Sequence, residues 1–457
     1  MGIYGALSTA VTGLKAQSFA LENISGNIAN SQTTGYKRME TSFVDLIPDA
    51  PLKNQVPGAV LAYSRSTNDV QGDVNTASTG TFMALNGSGF FMVEPPAGQS
   101  DGQPVFSGQS YYTRRGDFSI DKNGYLVNGS GYYLKGLPVD PKTGNVSGSV
   151  PEIMKLSNSF LPAQQTTSID YRLNLPQLPK NPAYQSNVPG SELIDPAAFG
   201  GSIATIGGDD ADEFLRQSIA GGAITVYSGN GGPVNVQMRW AKTASADPNA
   251  TPPVLDTWNL FYLTDSKATG TNPMWEKAGP DFTFKADGSM VAPAGPEITV
   301  PGMSVNGVDI GDMTLRFGQG GITQQSDPDG SATVTTLTQN GYGAGEYESV
   351  AISDGGRVVA SYSNGQQVEV YQVTVADFNA PNQLKRLDGG IYQATAESGE
   401  AVIKTDGPIQ GGALEASNTD ISEEFTKLIV TQQAYSAGTK IVSTANDMLQ
   451  AALNMIR

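Results

Sequence analysis

The 457-residue chain carries 27 Lys and Arg against 44 Asp and Glu, a formal charge of −17, with 54 Gly, 27 Pro, no His and no Cys. Its length implies roughly two to four domains, and its charge argues against nucleic acid or an anionic membrane surface as a partner. Without His and Cys it lacks the commonest general base, most zinc sites, disulfides and thiol nucleophiles. Two carboxylates would still suffice for glycoside cleavage. An enzyme is therefore disfavoured, and no cofactor or metal is expected.

In chain order, residues 3–29 come first. Leu7, Val11, Leu14, Ser18, Leu21, Ser25 and Ile28 recur at alternating spacings of four and three, the seam of a heptad helix. Ala10, Ala20 and Ile24 widen its apolar face. At about 1.5 Å per residue such a helix is on the order of 40 Å long. No basic residue precedes Lys15 and no apolar run is unbroken, so the start lacks the pattern of a secretory signal peptide. Nowhere does the chain reach the roughly 18 to 20 consecutive apolar residues that insert across a bilayer. The helical pattern dissolves in "ANSQTTGYKR" (29–38). Asn, Ser and Thr bond their own backbone and favour caps and turns, and Gly35 can take a conformation closed to other residues. An aromatic residue and two cations, Tyr36, Lys37 and Arg38, follow it.

The middle reads as hairpins. "DFSIDKNGYLV" (117–127) and "DFTFKADGSMV" (281–291) share one pattern, with Asn123-Gly124 and Asp287-Gly288 as turn tips. Residues 350–375 alternate Val, Ile and Tyr around Asp354-Gly355 and Asn364-Gly365, the pattern of a three-stranded meander. Residues 223–240 and 258–265 add strands. A more loosely patterned β domain is expected at about 151–325. Inside it the acidic run "GGDDADE" (207–213) reads as a solvated loop more readily than as a cation site. "DKNG" and "DPDG" lack the ligand run of a calcium loop, and "GSGFF" and "GQGG" lack the context of a nucleotide-binding loop. Arg114-Arg115 is too short a basic run to indicate a phosphate site.

At the far end Ile421, Phe425, Leu428, Gln432, Tyr435, Thr439, Val442, Asn446, Leu449, Leu453 and Ile456 repeat the four-three spacing. Asn418, Thr419 and Asp420 precede them as cap candidates, and Glu423 and Glu424 suit the positive end of a helix dipole. Gly438, in mid-helix, costs about 1 kcal/mol relative to Ala. Two terminal helices with narrow seams, flanking nearly four hundred residues of β pattern, suggest one coiled coil with the body looped out. The seam residues Leu7, Val11, Leu14, Leu21, Ile28, Phe425, Leu428, Tyr435, Val442, Leu449, Leu453 and Ile456 are its expected interface. A single hairpin would leave apolar surface that other copies must cover.

These ends resemble a known family. "NIANSQTTGYKR" is similar to the N-terminal signature of flagellar rod and hook axial proteins, through Asn27, Ile28, Ala29, Asn30, Thr33, Gly35, Tyr36 and Lys37. Gly26 stands where the signature has Asn. The stretch from "GALEASN" to the end resembles their C-terminal signature, including Leu414, Glu415, Ser417 and Asn418, with Gln433 and Gly438 departing from the usual Arg and Asn. Residues 335–401 resemble the returning β domain of the hook-type members, and the likeness is good over 1–150 and 325–457 and weak between.

The resemblance implies a multidomain chain with a terminal α-helical coiled coil and mainly-β middle domains, the outer inserted in the inner. Helices at 1–30 and 418–457 would form the inner tube of a helical homopolymer, with Tyr36, Lys37 and Arg38 bracing the exit from it against neighbouring subunits. Residues 31–75 and 402–417 would be linkers, 76–150 and 326–401 the inner β domain, and 151–325 the outer. It further implies a structural role in a curved, flexible tube that transmits torque. The implied partners are the chain itself, the distal rod protein, the hook cap, the hook–filament junction protein and the flagellar type III export apparatus. The implied location is outside the cell, without membrane insertion. A distal rod subunit, or a secreted β-rich carbohydrate-active or adhesive protein, are the alternatives.

Overall fold

The computed structural model describes residues 3–46, 59–141, 143–157 and 159–455. Two compact units divide the chain. The first comprises 1–158, 348–361 and 367–457, and the second 159–347 with 362–366.

In the first unit, helix α1 (Ile3–Ala29) is followed by an antiparallel ribbon, β1 (Met39–Leu46) and β2 (Ala59–Ser66), paired from Met39↔Ser66 to Leu46↔Ala59. The body is a sheet whose strands run, side by side, Arg357–Tyr362, Gln367–Val373, Tyr133–Pro138, Phe90–Glu94, Tyr111–Thr113 and Ile391–Gln393. Every residue of Phe90–Glu94 is buried, as expected of an apolar run in a central strand. Phe90, Met92, Tyr112, Phe378 and Tyr392 form the core around it. Glu94, at the end of that strand, pairs with Lys135 at 3.2 Å. The two expected linkers meet where Val74–Thr76 pairs with Ala413–Glu415, and the second of them also pairs with the expected inner β domain, Ile409–Gly411 with Met83–Leu85.

The second unit stacks two sheets over one core that includes Tyr171, Trp240, Trp258, Phe282 and Phe284. Its strands alternate buried and exposed residues, as in Pro233–Ala244, the period expected of a half-buried strand. The Tyr171 hydroxyl donates to Gly221 O at 2.6 Å and accepts from Trp240 Nε1 at 2.8 Å, so both large polar aromatics are satisfied inside. The unit does not coincide with the expected 151–325. Residues 151–157 belong to the first unit. Residues 326–347 belong to the second, because strand Thr333–Gln339 pairs with Ser168–Pro176. Nor is 207–213 a plain loop: α2 (Ala211–Arg216) begins within it, with Asp212 and Glu213 in its first turn.

Both sequence-matched hairpins form, and both dock in the same way. Phe118–Ile120 pairs with Leu126–Asn128, and Phe282–Phe284 with Met290–Ala292. Gly124 and Gly288 have φ of 86° and 80°. Their carbonyls accept from Leu156 N at 2.7 Å and Gln324 N at 2.9 Å.

The chain closes in the first unit with α3 (Ile421–Met455). Asp420 is its cap, accepting from Ser422 N at 2.7 Å and Glu423 N at 3.2 Å. Asn418 faces elsewhere.

Candidate functional site

The two helices lie antiparallel. Asn27, near the end of α1, bonds Glu424 at the start of α3 (2.9 Å), and Leu14 sits over Gly438, where an added Cβ would lie 2.9 Å from Leu14 Cδ2. On α3 the column buried against α1 is Glu424, Thr431 and Ala445, with Gly438 half-buried between them. Leu428, Val442 and Leu449 flank it, half-buried. Leu7, Leu14, Leu21 and Ile28 are half-buried on α1, where Ala16, Ala20, Ile24 and Asn27 go deepest. One half of each expected seam is therefore displaced by one residue. Phe425 (48%), Tyr435 (39%), Leu453 (65%) and Val11 (38%) remain exposed, and Ile456 lies outside the described residues. Small residues let the helix backbones approach closely, and the large apolar groups next to them face outward.

Between the helix ends lies a buried polar junction. Side chains stop α1: Asn30 Nδ2 donates to Gly26 O (2.9 Å), Ser31 Oγ to Ile28 O (2.8 Å), and Thr33 Oγ1 to Asn30 Oδ1 (3.2 Å). Ala29 is exposed beside them. Gly35 follows with φ 65°, and its N–H donates to Glu415 O at 2.8 Å. Any Cβ there would lie 2.7 Å from the Arg114 carbonyl carbon, so both the backbone hand and the space require glycine.

Lys37 (1% exposed) then reaches Glu415 (0%) at 2.5 Å and Val70 O at 2.6 Å. The Glu415 carboxylate also accepts from Gly72 N (2.9 Å) and Arg114 Nη1 (3.2 Å). Arg114 in turn donates to Gly87 O (2.8 Å) and lies over the Phe90 ring. Two cations and a backbone donor thus share one carboxylate away from water, the arrangement in which a buried charge is tolerated. Burial pushes the Lys37 ammonium below its ordinary value, with Glu415 opposing the shift.

Asn418 completes the junction. It accepts from Arg38 N at 2.7 Å and donates to Thr67 Oγ1 at 3.1 Å and Val70 O at 3.2 Å. Ser417 Oγ accepts from Thr419 N (3.2 Å), and Leu414 is half-buried in the strand that carries Glu415. Tyr36 is buried under Arg386, whose guanidinium lies 4.3 Å from its ring centre and whose Nη1 donates to Lys37 O.

The motif residues of both ends therefore meet within one chain. Tyr36 and Lys37 do not brace a neighbour: their side chains are spent inside the subunit. Arg38 is likewise engaged within it, by Glu423 (2.9 Å) and Glu40 (3.1 Å). Sequence reading passed over Arg114, which anchors Glu415 and is no phosphate ligand here. The available signal was Glu415 itself, one acid in the otherwise small and apolar "GALEA", which needs a buried cation. No group of acidic residues able to hold a metal ion occurs among the described residues.

Four family models match segments of the chain. They are "Flagella basal body rod protein" over 7–37, "Flagellar hook protein FlgE/F/G D1 domain" over 84–170, "Flagellar basal body protein FlaE D2 domain" over 217–342 and "Flagellar basal body rod FlgEFG protein C-terminal" over 410–455. The chain is 29% identical over 464 residues to the flagellar hook protein FlgE of Brucella suis, with both chains covered entirely. It is 26% identical to that of Escherichia coli, covering 98% of this chain and 100% of the relative. Among solved structures, that of Helicobacter pylori FlgE2 aligns with a TM-score of 0.51 at 15% identity, over 75% of this chain and 99% of that one, a likeness of fold.

Proposed function

Because the chain belongs to the family of flagellar rod and hook axial proteins, we infer that it is a structural subunit of the bacterial flagellar hook. The observation that carries this reading is the end-to-end match to hook proteins, spanning both termini and the interior. The second unit favours a hook subunit over a distal rod subunit, which needs no such body. A secreted carbohydrate-active or adhesive protein would have no use for paired terminal helices.

In the finer reading, α1 and α3 form a coiled coil that lines the inner tube of a helical homopolymer, and residues 159–347 form an outer domain. The outward apolar residues Phe425, Tyr435 and Leu453 support this, because a single chain leaves them in water. The polymer is a curved, flexible tube passing torque from rod to filament. Its ends meet the distal rod protein and the hook–filament junction protein, the hook cap supervises growth, and subunits arrive through the flagellar type III export apparatus.

Immunogold electron microscopy of intact cells, with antibody raised against residues 159–347, tests the assignment. Label should decorate a short curved segment at the flagellar base. Label on the rod alone, or spread over the cell surface, refutes it.

A further inference from the structure

Asn-Gly steps occur at positions 86, 123, 128, 230, 306, 340 and 364. At such a step the glycine N can attack the asparagine Cγ, because no Cβ on the second residue stands in the way. The attack closes a cyclic imide: the N–Cγ bond forms, the Cγ–Nδ2 bond breaks, and ammonia leaves with the proton that the glycine N gives up. Water then opens the ring. Addition at Cγ gives Asp. Addition at the α-carbonyl gives isoaspartate, whose main chain runs through Cβ and Cγ and is one carbon longer.

All but one of these side chains are held. Asn128, Asn230 and Asn364 each accept at Oδ1 from the N–H two residues on, at 3.1, 3.2 and 3.0 Å, the turn that asparagine makes with its own backbone. Asn306 Oδ1 accepts from Ser266 N at 2.8 Å, and Asn340 Oδ1 from Thr167 N at 3.0 Å. Asn123 is held most lightly, by Gln103 Nε2 at 3.2 Å. Each bond must break before Cγ can meet the next nitrogen. Asn86 differs: its side chain is exposed and makes no hydrogen bond among the described residues.

We propose that Asn86 is the chain's leading site of spontaneous deamidation, and that isoaspartate formed there loosens the buried junction of the first unit. The link is geometric. Asn86 N donates to Pro408 O at 2.7 Å, and Gly87 O accepts from Arg114 Nη2 at 2.8 Å. The extra main-chain carbon falls between these two anchors, so one of them must let go. Arg114 is the guanidinium that shares Glu415 with Lys37. The reaction quickens as pH rises, because the attacking nitrogen must lose its proton.

The test incubates the full chain in mildly alkaline buffer, folded and in urea. Digested peptides are scored for the mass gain from amide to carboxylate, and for isoaspartate with an isoaspartyl methyltransferase. In urea all the Asn-Gly steps should convert at similar rates. In the folded chain Asn86 should lead each of the others by about threefold or more, the factor carried by one hydrogen bond that must first break. A folded chain in which Asn123 or any other step leads overturns the proposal. So does an Asn86 that stays intact when folded while it converts in urea.

Asn86→Gln keeps the neutral amide and enlarges the ring that must close, so position 86 should stay intact over the same period. After ageing, the first-unit component of the tyrosine near-UV signal should move to lower urea in the wild-type chain and hold its place in Asn86→Gln. Trp emission, which reports the second unit, should stay unmoved in both. Converted wild type that keeps its fresh transition, or an equal loss in both chains, refutes the tie to Arg114.

Discussion

Replacing Glu415 by Ala should unfold the first unit and spare the second. The carboxylate it removes is the shared partner of Lys37 at 2.5 Å and Arg114 at 3.2 Å, and the acceptor for Gly72 N at 2.9 Å. After the change each cation keeps one carbonyl, Val70 O or Gly87 O, and both stay buried with no counter-charge. Breaking a buried ion pair from one side costs about 3–5 kcal/mol. With a urea dependence of about 2 kcal/mol per M, the midpoint should fall by roughly 1.5–2.5 M. The chain supplies its own control, because its three Trp (240, 258 and 275) all lie in the second unit. Trp emission should keep its transition while the tyrosine near-UV signal, to which both units contribute, gains a first-unit component at lower urea. Lys37→Met removes one cation and leaves Glu415 paired with Arg114, so it should cost less than Glu415→Ala. Combined with Glu415→Gln it should be less damaging than the two effects added. A wild-type midpoint for Glu415→Ala, or equal displacement of both signals, would refute the argument.

Other changes separate other parts of the account. Gly35→Ala should destabilise the first unit by about 2 kcal/mol or more in the same urea titration, since φ is 65° and Arg114 backbone stands 2.7 Å away. Gly124→Ala and Gly288→Ala place a Cβ 2.2 Å and 2.4 Å from carbonyl oxygens, so each should lower the transition of its own unit alone, leaving Trp emission unmoved for the first and shifting it for the second. Leu449→Asp, charging a half-buried seam position, should abolish polymers seen by electron microscopy at unchanged secretion, whereas exposed Gln450→Ala should assemble normally. Lys427 is no neutral control, for it pairs with Glu423 (2.8 Å) and buried Glu424 (3.0 Å). The hydrogen bond from Lys427, reinforced by Arg38, holds the Glu423 carboxyl below its ordinary 4.5. Its contribution is whole above about that pH and lost as pH falls through the lower folded value. Glu423→Gln should therefore flatten the acid limb of a thermal-melting profile.

The helices were legible because period survives in sequence: the seam predicts a helix over 3–29, and α1 spans Ile3–Ala29. The turns were legible because Asn-Gly and Asp-Gly carry their own backbone preference. The phase of the seam was not. Counting apolar residues favours Val11 and Phe425, while the structure buries Ala16, Thr431 and Ala445. Periodicity scores hydrophobicity, whereas close helix packing rewards small side chains, and a chain that leaves apolar residues for other copies misleads the count. The junction was half legible. The motif singled out Lys37, Glu415 and Asn418, but nothing local tells that Lys37 and Glu415, 378 positions apart, are partners. The boundary at 325 failed for a similar reason, because strand Thr333–Gln339 reads like its neighbours and only its pairing with Ser168–Pro176 assigns it.

The segments that open and close the second unit are bridged to each other. Leu161 and Gly345 exchange backbone bonds of 2.9 and 3.1 Å, and Gln164 and Tyr342 two of 2.9 Å. Once that unit has folded, the first unit sees the excursion from 159 to 347 as a connection of a few residues. Closing a loop of roughly 190 residues costs on the order of 3–4 kcal/mol more than closing one of two or three. This entropy favours one order of events, in which the interrupting segment condenses first and the strands on either side of it find each other afterwards, at short range. A chain delivered N-terminus first would have its opening strands wait for their partners until the middle has already finished.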